Sequence, residues 1–590
     1  MERVFCKLFH FVVFTILIIS CNKEEITLEP KPVAGEYTLP LIETSDIHGH
    51  IVNSEGNTLH YRMAYIADKV KDIRGHGTGY KKERLLLLDG GDLYQGATLS
   101  ILQKGKPVYI AMDKMGYDAV ALGNHDFDWG VEEMTDPDAT LPEYEYGGRL
   151  HPNDVPIVCA NLYQNGSRSS LTNDYVIVEK TAAGPNGTVK VKIGIVGFAV
   201  DYSTSIIASQ FSGKGYSIQE NYTIANSIAE ELESTGRCDA TILLIHGEAE
   251  RAAQRLGDST AFDLVLGGHT HIATAGHTDW GLAYGQAGKR AEDYAYAELK
   301  FNVDEAGTIA FSAVGSQQLL SVDTTRDKRT FAGQNADDLD EEILTLSDSA
   351  FAAVTDECNE VIGYITVGAN AYTIDGSGER AAVISNWMCD IMRRIGEADV
   401  AFVNSGGICT YFPLNGLPSR DITVANVYDM FPYGNHIHVY EITYAELLQI
   451  FEYSMTSSGK SLFSRVTGID CHFSQSEEHT NASGSTHREY AVHSLVKDGT
   501  AIYQNNTWAP GWATRRLTIA VSDYVATTNR EDYYTHLSNP LVGWSETSRL
   551  IINNLVDNEN AVRVLKAEAA ANNGHLYIDT SPHFILHNDD

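Results

Sequence analysis

The chain has 590 residues, which is long enough for two large domains with separate cores. Its composition is that of a globular protein, with 43% hydrophobic and 21% charged residues. Its 43 Lys and Arg residues against 78 Asp and Glu residues give a formal net charge of −35 at pH 7. Because affinity for nucleic-acid polymers depends largely on basic contacts to phosphates, this charge argues against a long DNA or RNA as partner. A small anionic substrate stays compatible if metal ions supply local positive charge.

The N-terminus has the features of an export signal. Basic residues precede the apolar stretch 9–19, which is shorter than the roughly 20 residues of a membrane-spanning helix. The run Ile18–Cys21 resembles a bacterial lipobox, whose cysteine is lipidated and becomes the mature N-terminus. We therefore predict a lipoprotein signal peptide over 1–20 and a tether over 21–35. The expected protein faces the periplasm or the cell surface of a Gram-negative bacterium and touches the membrane only through this lipid anchor. A plain secretory signal is the alternative.

Between residues 36 and 325, apolar runs that are typical of buried parallel strands end at residues able to bind metals. The runs and the segments that follow them are Leu39–Ile42 with SDIHGH, Leu85–Leu88 with DGGD, Ala119–Leu122 with GNHDFD, Ile242–Ile245 with HG, and Leu264–Leu266 with GGHTH. Ligand sites in such sheets lie at the carboxyl ends of the strands, so these polar residues are expected to lie close together.

Helical periodicity separates the apolar runs. Leu59–Ile73 and Gln219–Leu232 place apolar residues three and four apart, as amphipathic helices do. Tyr175–Lys180 and Lys190–Gly197 alternate more like strands of a second sheet. This alternation predicts an α/β fold with four layers, an α/β/β/α sandwich.

The second half of the chain predicts a smaller, mixed α/β domain. A polar stretch followed by a helical pattern makes 326–361 the expected linker helix between a catalytic domain at 36–325 and a substrate-binding domain at 362–590. Within the second domain, Leu447–Met455 is predicted to be helical and Ile437–Ile442 extended.

The polar residues at the strand ends form a set with mixed nitrogen and oxygen donors. They are Asp46, His48, Asp92, Asn124, His246, His269 and His271. Such donors suit divalent ions such as Zn²⁺ or Mn²⁺ rather than a soft thiolate site. Asp46 and His48 are one residue apart, so in an extended strand both side chains point to the same side. His269 and His271 repeat this spacing. Two metals about 3.5–4 Å apart need a shared ligand, and a carboxylate such as Asp92 is the natural bridge.

The ordered segments SDIHGH, GGDLYQG, GNHDFD, IHGE and GGHTH resemble the calcineurin-like metallophosphoesterases, in particular the bacterial periplasmic 5'-nucleotidase family. The resemblance implies two metal sites: Asp46, His48, Asp92 and His271 would hold one metal, and Asp92, Asn124, His246 and His269 the other. It also implies that His125 stabilises charge on the phosphoryl group and that Asp128 orients His125. An imidazole beside metals and a carboxylate that fixes its tautomer suit these roles. The nucleophile would be a water that the metals activate.

In the second half the resemblance implies substrate contacts, with departures. Asp399–Ile408 resembles a family segment in which Asn404 and Gly407 match, whereas Cys409 replaces the arginine that grips the nucleotide. Cysteine cannot donate the bidentate hydrogen-bond fork of an arginine. Arg380 lies near another family arginine position but aligns with it only after a shift. The arginines that could serve instead are Arg393, Arg394 and Arg420.

Two tyrosines are candidate walls of a clamp that stacks on a nucleotide base. Asp429–Asn435, with the sequence DMFPYGN, resembles the family segment that supplies the first wall, and Tyr433 takes that position. Tyr524 is the candidate second wall, and Asp532 is a weaker candidate for the family carboxylate beyond it. Stacking contributes roughly 1–3 kcal/mol per base. Packing in a core is the alternative role for both tyrosines.

Together these residues predict a metal-dependent hydrolase that cleaves phosphate esters of extracytoplasmic nucleotides, of 5'-nucleotidase type. The alternatives within the same chemistry are a 2',3'-cyclic-nucleotide phosphodiesterase with 3'-nucleotidase activity and a UDP-sugar hydrolase. A different class is a surface ligand-binding lipoprotein with structural metals, which the uncoordinated pair His125 and Asp128 argues against. The expected cofactors are two divalent metal ions and the expected partner is a nucleotide or another small phosphoester. The sequence sets no oligomeric state.

Overall fold

The structure is a computed structural model. It describes residues 33–55, 58–128, 155–201, 211–322, 339–369, 373–374, 380–381, 383–403, 410–454, 465–475, 479–480, 486–487, 490–527, 549–581 and 583–586. The predicted signal peptide and lipobox lie outside these residues. In the parts of the chain just given, no helix is both long enough and apolar enough to cross a bilayer.

The first half folds around a 12-stranded mixed sheet. The strands of this half, including the short ones outside the sheet, are β1 Gly35–Thr44, β2 Asn53–Glu55, β3 Thr58–His60, β4 Leu86–Asp89, β5 Ala119–Ala121, β6 Ile157–Val158, β7 Leu162–Gln164, β8 Ser167–Arg168, β9 Tyr175–Gly184, β10 Gly187–Ala199, β11 Tyr216–Ile218, β12 Ala240–His246, β13 Leu264–Leu266, β14 Thr274–His277, β15 Ala283–Gln286, β16 Asp293–Val303 and β17 Ile309–Ser321. The main path of the sheet is β14-β15-β13-β12-β10-β9-β1-β4-β5-β6, with β16 beside β1 and β17 beside β16.

Two parallel groups of strands make up most of this sheet. One group is β1, β4, β5 and β6, and the other is β10, β12, β13 and β15. Strand β9 connects them, since it is antiparallel to β10 along most of its length and meets β1 at the pair Thr38 and Ala183. The strands predicted at Tyr175–Lys180 and Lys190–Gly197 are therefore continuous with the first group, and the prediction of a separate second sheet was wrong in that respect.

Helices cover the parallel strands. The helices of this half and of the linker are α1 Arg62–Arg74, α2 Thr98–Leu102, α3 Lys106–Met115, α4 Tyr222–Ser234, α5 Ala249–Leu256 and α6 Glu341–Asn359. Helix α4 begins where the side chain of Asn221 accepts a hydrogen bond from the Thr223 N–H. Helix α3 ends at Gly116, whose φ of 66° suits a residue without a side chain. The helices predicted at Leu59–Ile73 and Gln219–Leu232 correspond to α1 and α4.

Apolar clusters mark the layers of the first half. Leu87 of β4 packs with residues of α1 and α3 in one cluster, and Ile245 of β12 packs with residues of α4 and α5 in another. Leu86 and Leu244, on the opposite faces of the same strands, belong to a cluster between the two groups of strands. Burying a leucine or isoleucine stabilises the fold by about 1.5–3 kcal/mol. The order helix, first strand group, second strand group, helix is the predicted four-layer sandwich, built from one continuous sheet.

The second half contains two five-stranded sheets, with the orders β24-β21-β31-β23-β32 and β30-β29-β28-β25-β33. The strands of this half are β18 Val361–Ile365, β19 Thr373–Ile374, β20 Arg380–Ala381, β21 Val400–Val403, β22 Arg420–Thr423, β23 His436–Thr443, β24 Arg465–Thr467, β25 Asp470–Gln475, β26 His479–Thr480, β27 Thr486–His487, β28 Tyr490–Lys497, β29 Thr500–Gln504, β30 Thr507–Trp508, β31 Arg516–Ser522, β32 Arg549–Val556 and β33 Phe584–Leu586. Its helices are α7 Val383–Ile395, α8 Val424–Met430, α9 Tyr444–Ser454, α10 Asp523–Thr527 and α11 Asp557–Ala571. The predicted helix at Leu447–Met455 is α9, and the predicted extended segment at Ile437–Ile442 lies in β23.

Two helices connect the halves. Residues Ile343, Ala350 and Val354 of α6 belong to the apolar cluster of the first half, so this helix packs on the first half. Ile101 of α2 belongs instead to the cluster that residues of the second half form around Trp387. Because α2 follows β4 closely in the chain, the second half is packed against a segment that begins at the carboxyl end of β4.

Candidate metal centre

The predicted metal ligands lie at the carboxyl ends of strands. Asp46 and His48 follow β1 and Asp92 follows β4, while His269 and His271 follow β13. The φ angles of these residues lie between 49° and 75°. This left-handed region is unfavourable for residues with a side chain, by about 1–3 kcal/mol each, and it is concentrated at functional sites. The spacing argument from an extended strand was therefore wrong, because left-handed turns bring these side chains together.

Two groups of side chains can each hold a metal ion. The Asp46 cluster consists of Asp46, His48 and His271, and the Asp92 cluster consists of Asp92, His246 and His269; within each, the ligand atoms lie within 4.8 Å of one another. In the first, His271 Nε2 is 3.0 Å from His48 Nε2 and 3.5 Å from Asp46 Oδ1. In the second, His246 Nε2 is 3.2 Å from Asp92 Oδ2.

Asp92 and Asn124 complete the arrangement. Asp92 Oδ2 is 3.2 Å from His246 Nε2 and 3.8 Å from His48 Nε2, so this carboxylate faces both clusters. Asn124 Oδ1 is 3.2 Å from His246 Nε2 and 2.9 Å from His269 Nδ1. The structure therefore brings all the predicted ligands together, with Asp92 in the position that a bridging ligand needs.

The orientation of the imidazole rings fits metal binding. His48 Nδ1 lies 2.9 Å from the carbonyl oxygen of Gln95, and His246 Nδ1 lies 2.7 Å from the carbonyl oxygen of Gly90. A carbonyl that accepts the ring N–H at Nδ1 fixes the tautomer and leaves the lone pair of Nε2 directed at the cluster. The mixed nitrogen and oxygen donor set therefore fits a pair of divalent cations.

The pKa values of the four candidate histidine ligands also bear on metal binding. Burial lowers the pKa of His48 to about 3 and the pKa values of His269 and His271 to about 4. These rings are neutral at pH 7, which is the state in which an imidazole binds a metal. Burial would lower the pKa of His246 as well, but the negative charge of Asp92 outweighs it and raises that pKa to about 9. Metal binding at His246 therefore displaces a proton.

His125 and Asp128 form a pair beside the clusters without belonging to either. His125 Nδ1 is 2.7 Å from Asp128 Oδ2, and the backbone N–H of His125 donates to Asp92 Oδ1 at 2.8 Å. Burial disfavours a charged ring, but the carboxylates of Asp128 and Asp92 outweigh it and raise the pKa of His125 to about 10. Asp128 thus holds the ring so that Nε2 can donate a hydrogen bond.

One buried carboxylate that joins the loops of the site was missed by the sequence analysis. Asp126 accepts hydrogen bonds from the N–H groups of Gly123 at 2.8 Å, Leu93 at 3.0 Å and Asp92 at 3.3 Å. It therefore ties the loop after β4 to the loop after β5. In the sequence Asp126 reads as a turn residue beside Asp128, and only the folded geometry shows its partners.

The space at Gly123 yields a first testable prediction. A Cβ atom at this position would lie 2.1 Å from Asp92 Oδ1 and 2.3 Å from Asp92 N, so the loop would have to move. We expect Gly123→Ala to lower the metal content and to destabilise the fold by about 1–3 kcal/mol, the usual cost of overpacking. Metal analysis and urea unfolding would measure both effects. Gly79→Ala is the matched control, because nothing lies within 4 Å of its Cβ. Full metal content in Gly123→Ala would contradict the prediction.

Basic side chains border the Asp46 cluster, and these too were missed. The backbone N–H of Arg290 donates to the carbonyl oxygen of Asp46 at 2.8 Å. The positive charges of Lys289 and Arg290 add to burial in lowering the pKa of His271. Burial raises the pKa of Asp429, and the charge of Arg290 opposes that rise, so Arg290 lies near the second domain as well. In a strongly acidic chain, this local positive charge favours an anionic substrate.

The predicted substrate contacts are only partly within the structure. Tyr433 lies against the site, since its ring stacks on that of His125 with a centroid distance of 5.6 Å and an interplanar angle of 19°. Outside the described residues and side chains lie Asn404, Gly407, Cys409 and Asp532 and the side chains of Arg380 and Tyr524. The roles proposed for them stay predictions.

The arginines suggested as substitutes have other partners. Arg393 Nη2 is 2.7 Å from Asp390 Oδ1, and Arg394 Nη1 is 2.8 Å from Glu568 Oε2. Arg420 Nη1 donates to the carbonyl oxygen of Pro413 at 3.3 Å. All three guanidinium groups are therefore engaged within the second domain.

Comparison with known proteins identifies a family domain in the second half of the chain. Residues 361–536 match the family model of the 5'-nucleotidase C-terminal domain. The trifunctional nucleotide phosphoesterase protein YfkN of Bacillus subtilis is 24% identical over 503 residues, which are 81% of this chain and 31% of YfkN. The snake venom 5'-nucleotidase of Crotalus adamanteus is 24% identical over 477 residues, which are 74% of each chain.

A solved structure shows the same fold. The 5'-nucleotidase precursor from Thermus thermophilus aligns with a TM-score of 0.61 and 18% identity over 94% of this chain and 100% of that chain. The resemblance and the fold class predicted from the motifs are thereby confirmed. Residues 361–536 thus match the 5'-nucleotidase C-terminal domain, and the chain as a whole has the fold of the 5'-nucleotidase precursor from Thermus thermophilus.

Proposed function

We propose that this protein hydrolyses phosphate esters of extracytoplasmic nucleotides, in the manner of a 5'-nucleotidase, with two divalent metal ions, Zn²⁺ or Mn²⁺. The observation that carries the proposal is the carboxylate of Asp92 between two metal-binding clusters, with the uncoordinated pair His125 and Asp128 beside them. A purely structural metal site needs no such pair, so a ligand-binding lipoprotein is disfavoured. The relatives named 5'-nucleotidases support the same reaction.

The residues of the chain have distinct tasks in this reaction. Divalent cations bound at the two clusters would supply positive charge and lower the pKa of a water. His125, cationic and held at Nδ1 by Asp128, would donate from Nε2 to an oxygen of the phosphoryl group as charge develops there. Lys289 and Arg290 would attract the anionic substrate to the cleft. Tyr433 would form a wall against the base.

A second candidate for the substrate class comes from the second half of the chain and from the relatives. The arginine that the family uses to grip the nucleotide is replaced at Cys409, which favours a 2',3'-cyclic-nucleotide phosphodiesterase with 3'-nucleotidase activity, or a UDP-sugar hydrolase, as the second candidate. YfkN, which matches most of this chain, is named as a trifunctional nucleotide phosphoesterase. Several phosphoester classes therefore belong in the first assay.

A substrate panel tests the proposal. The metal-loaded chain without its predicted signal peptide should release phosphate from 5'-nucleoside monophosphates with a higher kcat/KM than from 3'-nucleotides, 2',3'-cyclic nucleotides or UDP-glucose. Chelation should abolish the activity, and Zn²⁺ or Mn²⁺ should restore it. A preference for cyclic nucleotides would support the second candidate. Failure to cleave any phosphoester with either metal would reject the hydrolase.

Export and lipid anchoring are part of the proposal. The run Ile18–Cys21 supports lipidation of Cys21 and a location facing the periplasm or the cell surface. Palmitate labelling in a bacterial host should mark the full chain, and Cys21→Ser should abolish the label. Labelling that survives this substitution would contradict the anchor.

A further inference from the structure

A short segment joins the metal centre to the second domain. It begins at the ligand Asp92 and ends with helix α2 at Leu102. Ile101 in this helix is buried in the apolar cluster of the second domain. The side chain of Thr98 is hydrogen-bonded to Asp429, which lies in α8 of that domain. The two halves therefore meet on the same stretch of chain that leaves the Asp92 cluster.

Gln95 lies in the middle of this segment and makes contacts in both directions. Its backbone carbonyl oxygen is 2.9 Å from Nδ1 of the metal ligand His48. Its side-chain Nε2 donates to the backbone carbonyl oxygen of Pro432, in the second domain. The residue is only 1% exposed, so both hydrogen bonds are shielded from water and are stronger for it.

The backbone around Gln95 is packed directly on His48. The N–H of Ala97 donates to the carbonyl oxygen of His48 at 2.8 Å. A Cβ atom at Gly96, whose φ is 142°, would lie 2.7 Å from the Cβ of His48. There is no space for a side chain at this point, so Gln95 and His48 cannot move independently.

On its other side, Gln95 holds the segment Phe431–Asn435, which we name the Tyr433 loop. Tyr433 in this loop stacks on the ring of His125. The start of α11, in the second domain, holds the same loop through two hydrogen bonds. Asn558 Nδ2 donates to the carbonyl oxygen of Phe431 at 3.3 Å. The backbone N–H of Asp557 donates to the carbonyl oxygen of Asn435 at 2.8 Å. The loop is thus fixed to its own domain by α11 and to the metal centre by Gln95.

We propose that Gln95 is a positioning residue that ties the Tyr433 loop to the metal ligand His48, so that the second domain is held over His125 in a fixed position relative to the metal centre. The inference rests on the proposed function and goes beyond it. The contribution of Gln95 to kcat/KM should depend on the size of the substrate. A substrate with a base reaches the Tyr433 loop, whereas a small phosphate ester needs only the metals and His125.

Gln95→Met is the direct test, because it keeps the length of the side chain and the backbone carbonyl but removes the donor to Pro432. A neutral hydrogen bond contributes about 0.5–1.5 kcal/mol, so we expect kcat/KM for the preferred nucleotide to fall by about 2- to 12-fold, mainly through KM. The kcat/KM for p-nitrophenyl phosphate and the metal content should stay unchanged. A merely structural role would lower the two kcat/KM values by the same factor.

Gln103→Met is the matched control. Gln103 lies just after α2, and its Nε2 donates to the carbonyl oxygen of Ala350 in α6 at 2.9 Å. It contacts neither His48 nor the Tyr433 loop among the interactions of the described residues. The ratio of the two kcat/KM values should therefore match that of the unchanged protein. If Gln95→Met fails to fold, Gln95→Leu supplies a second variant without the donor.

Small-angle X-ray scattering gives a second readout that does not depend on the substrate. The metal-loaded protein should have a larger radius of gyration with Gln95→Met than with Gln103→Met, because the second domain loses a link to the first. An unchanged radius together with an unchanged ratio of kcat/KM values would overturn the inference. If the unsubstituted protein cleaves p-nitrophenyl phosphate but no nucleotide, the proposed function fails, and the scattering comparison still decides on Gln95.

Discussion

Replacing His125 with alanine should lower kcat for the preferred nucleotide by about 10²–10⁴-fold, the range that a positioned proton donor contributes. The ring lies outside both metal clusters, so the metal content should not change. Its Nδ1 is committed to Asp128 at 2.7 Å, and the carboxylate of Asp128 raises its pKa, which favours a proton on Nε2. Alanine removes that donor and leaves the metal ligands in place. Kinetics on metal-loaded protein, with metal analysis in parallel, would measure the loss.

Two further variants make this test specific. Asp128→Asn keeps the size of the side chain but removes the charge that holds His125, and we expect a smaller loss of about 10–100-fold, as is usual for partners of a functional group. His76→Ala is the control, because His76 is exposed and pairs with Asp72 at 3.2 Å at the surface. Full activity in His125→Ala would remove the catalytic assignment, and equal losses in both histidine variants would show a general defect.

The location of the metal ligands was predictable because it depends on local sequence patterns. Buried parallel strands are continuous apolar runs, and the residue that ends such a run is also the residue that reaches the edge of the sheet. Asp92 after β4 and His246 at the end of β12 follow this rule. The resemblance of the ordered motifs to a known family then predicted which of these residues share a metal site.

The local conformation was not predictable from the same pattern. The pair Asp46 and His48 was expected to share one side of an extended strand, yet both residues are left-handed. Spacing along the chain does not reveal φ, and the energy that keeps these residues in an unfavourable region comes from distant contacts. One such contact is the N–H of His269, which donates to the carboxylate of Asp46 at 3.0 Å.

Supporting residues were harder still to predict, because their roles depend on tertiary contacts. Asp126 and Gln95 are polar residues in loops, which is where such residues are common. Nothing in the sequence marks Asp126 as the acceptor of backbone N–H groups from two loops, or Gln95 as a link to Pro432. The substrate contacts depend even more on how the two domains meet. The structure places the side chain of Tyr433 beside His125.

Replacing Asp92 with alanine should remove metal from both clusters. Asp92 Oδ2 lies 3.2 Å from His246 Nε2 and 3.8 Å from His48 Nε2, so one carboxylate faces both clusters. We expect metal affinity at each site to fall by more than about 100-fold, which exceeds the effect of losing a supporting residue. Asp92 Oδ1 also accepts the N–H of His125, so activity should fall further than metal content alone explains.

His271→Ala is the comparison that tests the bridging role of Asp92. His271 belongs to the Asp46 cluster alone, and its nearest ligand atoms are those of His48 and Asp46. Metal analysis should therefore show loss of about one of the two ions in His271→Ala and of both in Asp92→Ala. Because a bound metal stabilises the native state, added Zn²⁺ or Mn²⁺ should raise Tm strongly in the unchanged protein, less in His271→Ala, and least in Asp92→Ala. Loss of only one ion in Asp92→Ala would contradict a shared carboxylate, since one cluster would then bind its ion without Asp92.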